Sequence, residues 1–114
     1  MRERDKQVIV RIQKHTAAIL RYTQSRGDKN DFLSDPMLVD ACVFNLMQIG
    51  ELSKQQLSDE AKEQLNSIPW KLLYGMRNRI VHGYDGVNMT IVWTTIKNDI
   101  PTLDENLKNI IRSF

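Results

Sequence analysis

Apolar residues recur along the chain at intervals of three and four positions, the period of an α-helix with one buried face. The first such stretch runs from about Glu3 to Arg26, and the polar segment that begins at Gly27 predicts its end. No segment alternates apolar and polar residues for long enough to indicate a β-strand. The buried seam predicted for this first helix contains Val8, Ile12, His15, Ile19 and Tyr22.

A second, longer helix is predicted from the signals around Pro36. The preceding segment "DFLSDP" predicts a short turn, and Ser34 or Asp35 can then cap the helix. Pro36 suits the first turn because that position needs no N–H donor. The helix extends to about Leu57 with a broad apolar face, which is typical of a central helix or of one that also contacts another subunit. That face contains Leu38, Ala41, Cys42, Leu46, Ile49, Leu52 and Ser53, widened by Val39, Val43, Phe44 and Met47.

Capping residues and prolines divide the remainder of the chain. Ser58 caps a short third helix, whose first turn is acidic and therefore suits the helix dipole. Pro69 opens a fourth helix, and Gly83 is well placed to end it. Asn88 caps a long last helix, which Pro101 is expected to kink or split. The pattern as a whole predicts an all-α fold, an antiparallel helical bundle of four to five helices.

The composition is that of an ordinary globular protein, with 41% hydrophobic and 26% charged residues. Its net charge of +2 is too small for a protein that coats polyanions generally, so any basic surface must be local, in residues 71–84. The single cysteine, Cys42, excludes an intrachain disulfide and is expected to be a buried thiol. No stretch resembles a membrane span or a signal peptide. We therefore expect one soluble, cytoplasmic domain over residues 1–114.

The segment "MRNRIVHGY", at the end of the fourth helix, concentrates side chains that can act on a phosphate. Arginine presents a planar fork that matches phosphate, and histidine titrates in the range that proton transfer requires. With the amide of Asn78, Arg77 and His82 form a reasonable set for metal-free cleavage of RNA through its 2′-hydroxyl. The alternative is that Arg77 and Arg79 are solvated charges and that His82 interacts with the helix dipole.

Helical geometry limits how these side chains can converge. Successive residues are rotated by about 100°, so Asn78 and His82 share a face, whereas Arg77 and His82 are about 140° apart. A single helix can direct both at one point only where the helix ends. The other solution is a dimer, in which the same helix of two copies meets across a twofold axis and lines one cleft.

"GMRNRIVHGY", preceded by "IPW" and followed by "VWTTIKNDIPTL", resembles the HepT-like toxins of the HEPN (higher eukaryotes and prokaryotes nucleotide-binding) superfamily. Their signature is R-x-x-x-x-H-x-Y, often with asparagine after the arginine, and Arg77, Asn78, His82 and Tyr84 match it. The segment "NLMQIGELSKQQLS" upstream is also similar. The resemblance extends from residue 40 to about residue 105, and it is specific because separated blocks occur in the same order.

The resemblance implies an all-α, HEPN-like homodimer that acts as a metal-independent endoribonuclease. Arg77 and His82 of both copies would be catalytic in one composite cleft, with Asn78 in support and no cofactor. Arg79 would either bind an RNA phosphate at the rim or be a solvated or ion-paired charge. The resemblance further implies the toxin of a type VII-like toxin–antitoxin system, whose partner is a minimal nucleotidyltransferase that transfers AMP from ATP to Tyr84.

AMP would add a negative phosphate and a bulky nucleoside beside a cleft that receives RNA. The alternative for Tyr84 is packing on the end of the bundle. The alternative for the whole chain is a catalytically inactive helical module that binds a nucleotide or a nucleotidyltransferase, because related domains do not all cleave RNA.

Other polar or aromatic residues are weaker candidates. His15 lies on an apolar seam, which is typical of a hydrogen-bonded core or interface histidine. Glu51, in "IGEL", either holds Arg77 through a bidentate ion pair or is exposed on the outer face. Trp70 and Trp93 have the spacing of core residues, although either can stack on a base. No spacing of histidines predicts a metal site.

Overall fold

The structure, a computed structural model, describes residues 1–82 and 89–114, and in the first range the side chains of Val81 and His82 lie outside the description. The described residues contain helices and turns and no strand, so the fold is all-α, as the sequence predicts. Four longer helices pack together as an antiparallel bundle. The helices are α1 (Glu3–Thr23), α2 (Lys29–Leu33), α3 (Pro36–Gln55), α4 (Asp59–Gln64), α5 (Trp70–His82), α6 (Met89–Thr94) and α7 (Ile100–Arg112), with a π-helical turn over Thr95–Asp99.

The core lies between α1, α3, α5 and α7 and is built from the apolar stripes of those helices. Burial of each large aliphatic side chain stabilises the fold by about 1.5–3 kcal/mol relative to exposure. The predicted seam of α1 is confirmed except at Tyr22, which is exposed and lies beside the guanidinium of Arg21. The most completely buried side chains are Val8, Ile9, Ile12, Ile19, Phe32, Ile49, Ile68, Ile80, Val92, Ile96, Ile100 and Leu107.

The segment predicted as a turn after the first helix instead forms the short helix α2. The carboxylate of Asp28 caps it by accepting a hydrogen bond from the Asp31 N–H at 2.8 Å. Phe32 is fully buried and packs on the ring of Trp93, with the ring centroids 5.1 Å apart. A cap and a buried aromatic anchor therefore stabilise a helix that is too short for its periodicity to be recognised. Helix α1 also ends at Thr23, three residues earlier than predicted.

The predicted start of α3 is confirmed, with Asp35 as its cap and Pro36 in its first turn. Ser58 likewise caps α4 by accepting a hydrogen bond from the Ala61 N–H at 3.1 Å. The disruption expected at Pro101 is confirmed, and its form is a π-helical turn over Thr95–Asp99. The proline ring would collide with the carbonyl four residues earlier in a regular helix, and the wider turn relieves that collision.

None of the helices in the described ranges combines the length and the apolar character that crossing a membrane requires.

Candidate active site

Helix α5 carries the first part of the predicted motif, and its buried face fixes its orientation. Met76 and Ile80 point into the core and are 8% and 1% exposed. Trp70, at the start of the helix, is buried and donates a hydrogen bond from its indole N–H to the carbonyl of Leu65 at 3.1 Å. Because these positions fix the rotation of α5 about its axis, Arg77 faces the neighbouring helix α3.

Helices α3 and α5 run antiparallel and lie close together at Gly50. A Cβ atom added to Gly50 would overlap the Cβ of Arg77, and it would lie 3.0 Å from both the Arg77 Cγ and the carbonyl oxygen of Leu73. The stem of Arg77 therefore lies directly against the backbone of α3. One turn away, the Tyr74 hydroxyl donates a hydrogen bond to the Ser53 carbonyl at 3.3 Å.

Arg77 is held by charged and polar partners on both helices. Its Nε donates to Oε2 of Glu51 at 2.8 Å, and its Nη1 donates to Oδ1 of Asn78 at 3.0 Å. The Arg77 side chain is only 22% exposed, whereas that of Glu51 is 41% exposed. Of the alternatives for Glu51, the structure thus supports the partner of Arg77, through one charge-assisted hydrogen bond rather than a bidentate pair. No described residue accepts a hydrogen bond from Nη2 of Arg77.

Arg79 lies on a different side of α5 from Arg77. It is exposed and lines a largely apolar groove of about 310 Å³, whose walls include Leu72, Met76 and Ile91. The two arginines, two positions apart, therefore do not share one site within this copy of the chain. Asn78, by contrast, contacts Arg77 directly.

The other two residues of the motif are His82 and Tyr84, and the structure does not describe their side chains. Helix α5 extends to His82, so Arg77 and His82 are five positions apart in continuous helix. The side chain of His82 lies outside the described residues, as do Gly83, which was predicted to end the helix, Tyr84, and Asn88, the predicted cap. The roles assigned to His82 and Tyr84 stay predictions.

The sequence does not reveal that Gly50 is part of this site. A glycine inside an apolar helical stretch is a signal of close backbone approach, but the pattern does not identify which segment approaches. Glu51 carries a recognisable signal, because it is an acid in an otherwise apolar run.

The remaining sequence candidates have structural roles. His15 is half-buried and its Nδ1 is 2.7 Å from Oδ1 of Asn45, a buried amide whose nitrogen donates to a carbonyl of its own helix. Trp70 and Trp93 pack in the bundle, as expected for core residues. Cys42 is fully buried, and burial raises the pKa of its thiol to about 11, so it is not a reactive nucleophile.

Two buried carboxylates, those of Asp104 and Asp5, connect other parts of the bundle, and Arg77 is not among their partners. Asp104, which is 3% exposed, accepts hydrogen bonds from Thr16 at 2.7 Å and from Gln13 at 3.1 Å and pairs with Lys108 at 3.1 Å. Burial raises the pKa of Asp104, but these donors outweigh burial and leave the pKa below its ordinary value. Asp5 is similar, since hydrogen bonds from the Ser58 backbone and hydroxyl outweigh burial and lower its pKa.

The described residues hold no cluster of three or more histidine, cysteine, aspartate and glutamate side chains that is suited to a metal ion.

The chain belongs to the Ribonuclease HepT-like family, whose model matches residues 12–110. This range includes α3 and α5, which form the crossing at Gly50, and the complete Arg77 to Tyr84 motif. The family assignment confirms the resemblance to HepT-like proteins of the HEPN superfamily.

Individual relatives agree with the family assignment. The chain is 43% identical over 82 residues to a protein of Caldanaerobacter subterraneus subsp. tengcongensis whose name proposes an RNase, and the match covers 72% of each chain. It is 38% identical over 73 residues to a probable ribonuclease HepT of Thermococcus cleftensis, and this match covers 64% of this chain and 66% of that protein. A third relative, from Methanocaldococcus jannaschii, is also named for a proposed RNase and is 30% identical over 81 residues, 71% of this chain and 73% of that protein. No solved structure matches the chain.

Proposed function

We propose that the protein is a metal-independent endoribonuclease toxin that acts as a homodimer. The observation that carries the proposal is the arrangement of Arg77, which is mostly buried and held by Glu51 and Asn78 on the helix that carries the family motif. A partly buried, hydrogen-bonded guanidinium is preorganised, so it can stabilise the charge that develops on a phosphate without first being reoriented. The family and the names of its members support RNA as the substrate.

The chemistry requires one proton to be removed and one to be supplied. His82 takes the proton of the 2′-hydroxyl, and the 2′-oxygen then attacks the adjacent phosphorus. Arg77 stabilises the negative charge on the phosphorane oxygens. The bond from phosphorus to the 5′-oxygen breaks, and His82 of the partner subunit protonates that leaving oxygen. The products are a 2′,3′-cyclic phosphate and a free 5′-hydroxyl.

The dimer is supported by the helical positions of the two catalytic residues. Because α5 is helical from Trp70 to His82, Arg77 and His82 are rotated by about 140° about its axis. A cleft between two copies brings an arginine from one copy and a histidine from the other into the same space. A catalytic set that diverges on one helix is thus completed across a twofold axis.

The exposed face of α3 supports a location for the dimer contact. Met37, Phe44 and Glu51 are spaced seven residues apart, so their directions differ by only about 40° in total. Met37 is 84% exposed and Phe44 is 56% exposed. This apolar stripe leads directly to the Glu51–Arg77 pair, so a second copy that covers the stripe also reaches the catalytic arginine.

Regulation is proposed to act on Tyr84, two residues after His82. A minimal nucleotidyltransferase antitoxin, in a type VII-like system, transfers AMP from ATP to the tyrosine hydroxyl and releases pyrophosphate. The added phosphate is negative and repels the RNA backbone, and the nucleoside occupies space at the cleft.

The test is cleavage of RNA by the purified chain in a buffer that contains EDTA. We expect cleavage, slower growth of cells that express the chain, and loss of both effects in His82→Ala. His15→Ala is the matched control, because it removes the other histidine, whose ring is hydrogen-bonded to Asn45, and should retain cleavage. RNA left intact by a folded chain that still binds a nucleotidyltransferase would instead indicate the inactive binding module. Cleavage that requires a divalent metal would refute metal independence.

A further inference from the structure

We propose that Glu51 is a positioning residue for Arg77, and that Gly50 sets the helix separation at which Glu51 can reach it. This inference rests on the proposed ribonuclease function. Two adjacent residues of α3 thereby act on one residue of α5: Gly50 admits the stem of Arg77, and Glu51 binds its Nε. The substrate would contact Arg77, and Glu51 would act only through it.

The contacts define the plane and the direction of the guanidinium. Nε is occupied by Glu51 on the opposite helix, and one hydrogen of Nη1 is occupied by the adjacent Asn78. With its stem packed against Gly50, Arg77 is fixed at its base and on two sides of its planar head. Nη2 has no acceptor among the described residues, so its two hydrogens and the second hydrogen of Nη1 are left to bind phosphate oxygens.

Electrostatics argue that Glu51 acts through geometry and not through charge. A carboxylate 2.8 Å from Nε offsets part of the positive charge of Arg77, which weakens long-range attraction of RNA. It also repels an approaching phosphate. A residue with these drawbacks is useful at the site if it holds the guanidinium in the orientation that the transition state needs.

A purely stabilising ion pair is the competing explanation, and the chain contains a suitable comparison. Arg26 pairs with Asp31 at 3.1 Å, and Asp31 is 44% exposed, close to the 41% of Glu51. Exposed pairs of this kind contribute about 0–1 kcal/mol to stability. Loss of either acid should therefore change stability to a similar small extent, whereas only loss of Glu51 should change catalysis.

The experiment measures kcat and KM for a short single-stranded RNA with the full chain, well below the melting temperature of each variant. Glu51→Ala should lower kcat by about 10- to 100-fold, because a displaced catalytic group loses rate on that scale, with KM changed by less than about threefold. Glu51→Gln keeps the length and an acceptor oxygen and should retain most of kcat. Glu51→Asp keeps the charge but withdraws the carboxylate and should lose activity like Glu51→Ala. Asp31→Ala is the control and should match the wild type.

An NMR measurement can detect the hydrogen bond between Glu51 and Arg77 independently of any activity assay. In protein that contains isotope-labelled arginine, the Nε–H resonance of Arg77 should be protected from exchange with water in the wild type and in Glu51→Gln. It should lose that protection in Glu51→Ala and Glu51→Asp. This measurement also decides the contact if one of the variants is too unstable for kinetics.

Unchanged kcat in Glu51→Ala, or a Glu51→Gln variant as impaired as Glu51→Asp, would overturn the positioning role and leave the proposed function intact. Wild-type protein that does not cleave RNA would overturn the proposed function, and the positioning role with it.

Discussion

The close crossing of α3 and α5 makes a sharp prediction about Gly50. Gly50→Ala introduces a methyl group where Arg77 Cβ already lies, 3.0 Å from Arg77 Cγ and from the Leu73 carbonyl oxygen. Ordinary contacts between non-bonded carbon atoms are about 3.5–4.0 Å. The Arg77 Cβ and the Leu73 carbonyl cannot rotate out of the way. The overlap can therefore be relieved only if α3 and α5 separate. Their separation also moves Glu51 relative to Arg77.

The expected magnitude follows from two opposing effects. In an open helical position, glycine to alanine stabilises by about 0.5–1 kcal/mol through helix propensity. Overpacking destabilises by about 1–3 kcal/mol, and the rigid neighbours of Gly50 favour the upper part of that range. The net change is a destabilisation of about 2 kcal/mol. For a chain of this size, we expect the melting temperature to fall by about 8 °C.

Gly75→Ala is the matched control, because Gly75 lies in the facing helix α5 and an added Cβ would meet only Nη2 of Arg79, at 3.9 Å. It should raise the melting temperature by about 2–4 °C. Thermal unfolding followed by circular dichroism measures both variants, and Gly50→Ala should also cleave RNA more slowly. If Gly50→Ala were stabilised like Gly75→Ala, the close crossing and the argument built on it would be wrong.

The other predictions concern assembly, regulation and pH. Phe44→Glu places a charge in the apolar stripe of α3, so it should yield a helical monomer, detected by light scattering, that no longer cleaves RNA. Incubation with ATP and a cognate minimal nucleotidyltransferase should add AMP to the wild type but not to Tyr84→Phe, as measured by mass spectrometry. Because the pKa of Asp104 is lowered by folding, its contribution to stability is present above its ordinary value of 3.8 and is lost as pH falls through the folded pKa. Asp104→Asn should therefore be less stable at neutral pH by about 2 kcal/mol and show a shallower loss of stability in acid, measured by urea unfolding.

Each of these three changes has a control in the same chain. Leu72→Glu alters an exposed apolar residue outside the stripe, and it should remain dimeric and active. Tyr22→Phe removes a tyrosine elsewhere in the chain that is exposed, and this variant should still be modified. Glu105→Gln removes an exposed acid beside Asp104, and its acid dependence should match the wild type. A monomeric but fully active Phe44→Glu, AMP on Tyr84→Phe, or unaltered acid dependence in Asp104→Asn would contradict the respective prediction.

The long helices could be predicted from the sequence because their signals are local. The spacing of Val8, Ile12 and Ile19 defines the buried face of α1, and Asp35 with Pro36 marks the start of α3. The short helix α2 and the exposure of Tyr22 were not predicted. The short helix depends on a contact between distant segments, the packing of Phe32 on Trp93.

The sequence by itself predicted which residues carry chemistry, because the motif from Arg77 to Tyr84 is contiguous and its residue types suit action on a phosphate. It also determined that Arg77 and His82 diverge on a regular helix. Only the tertiary structure decided how Arg77 is held, since Glu51 and Gly50 are on a different helix. Periodicity shows which face of a helix is buried, but the distance between two helices depends on the side chains of both at their crossing.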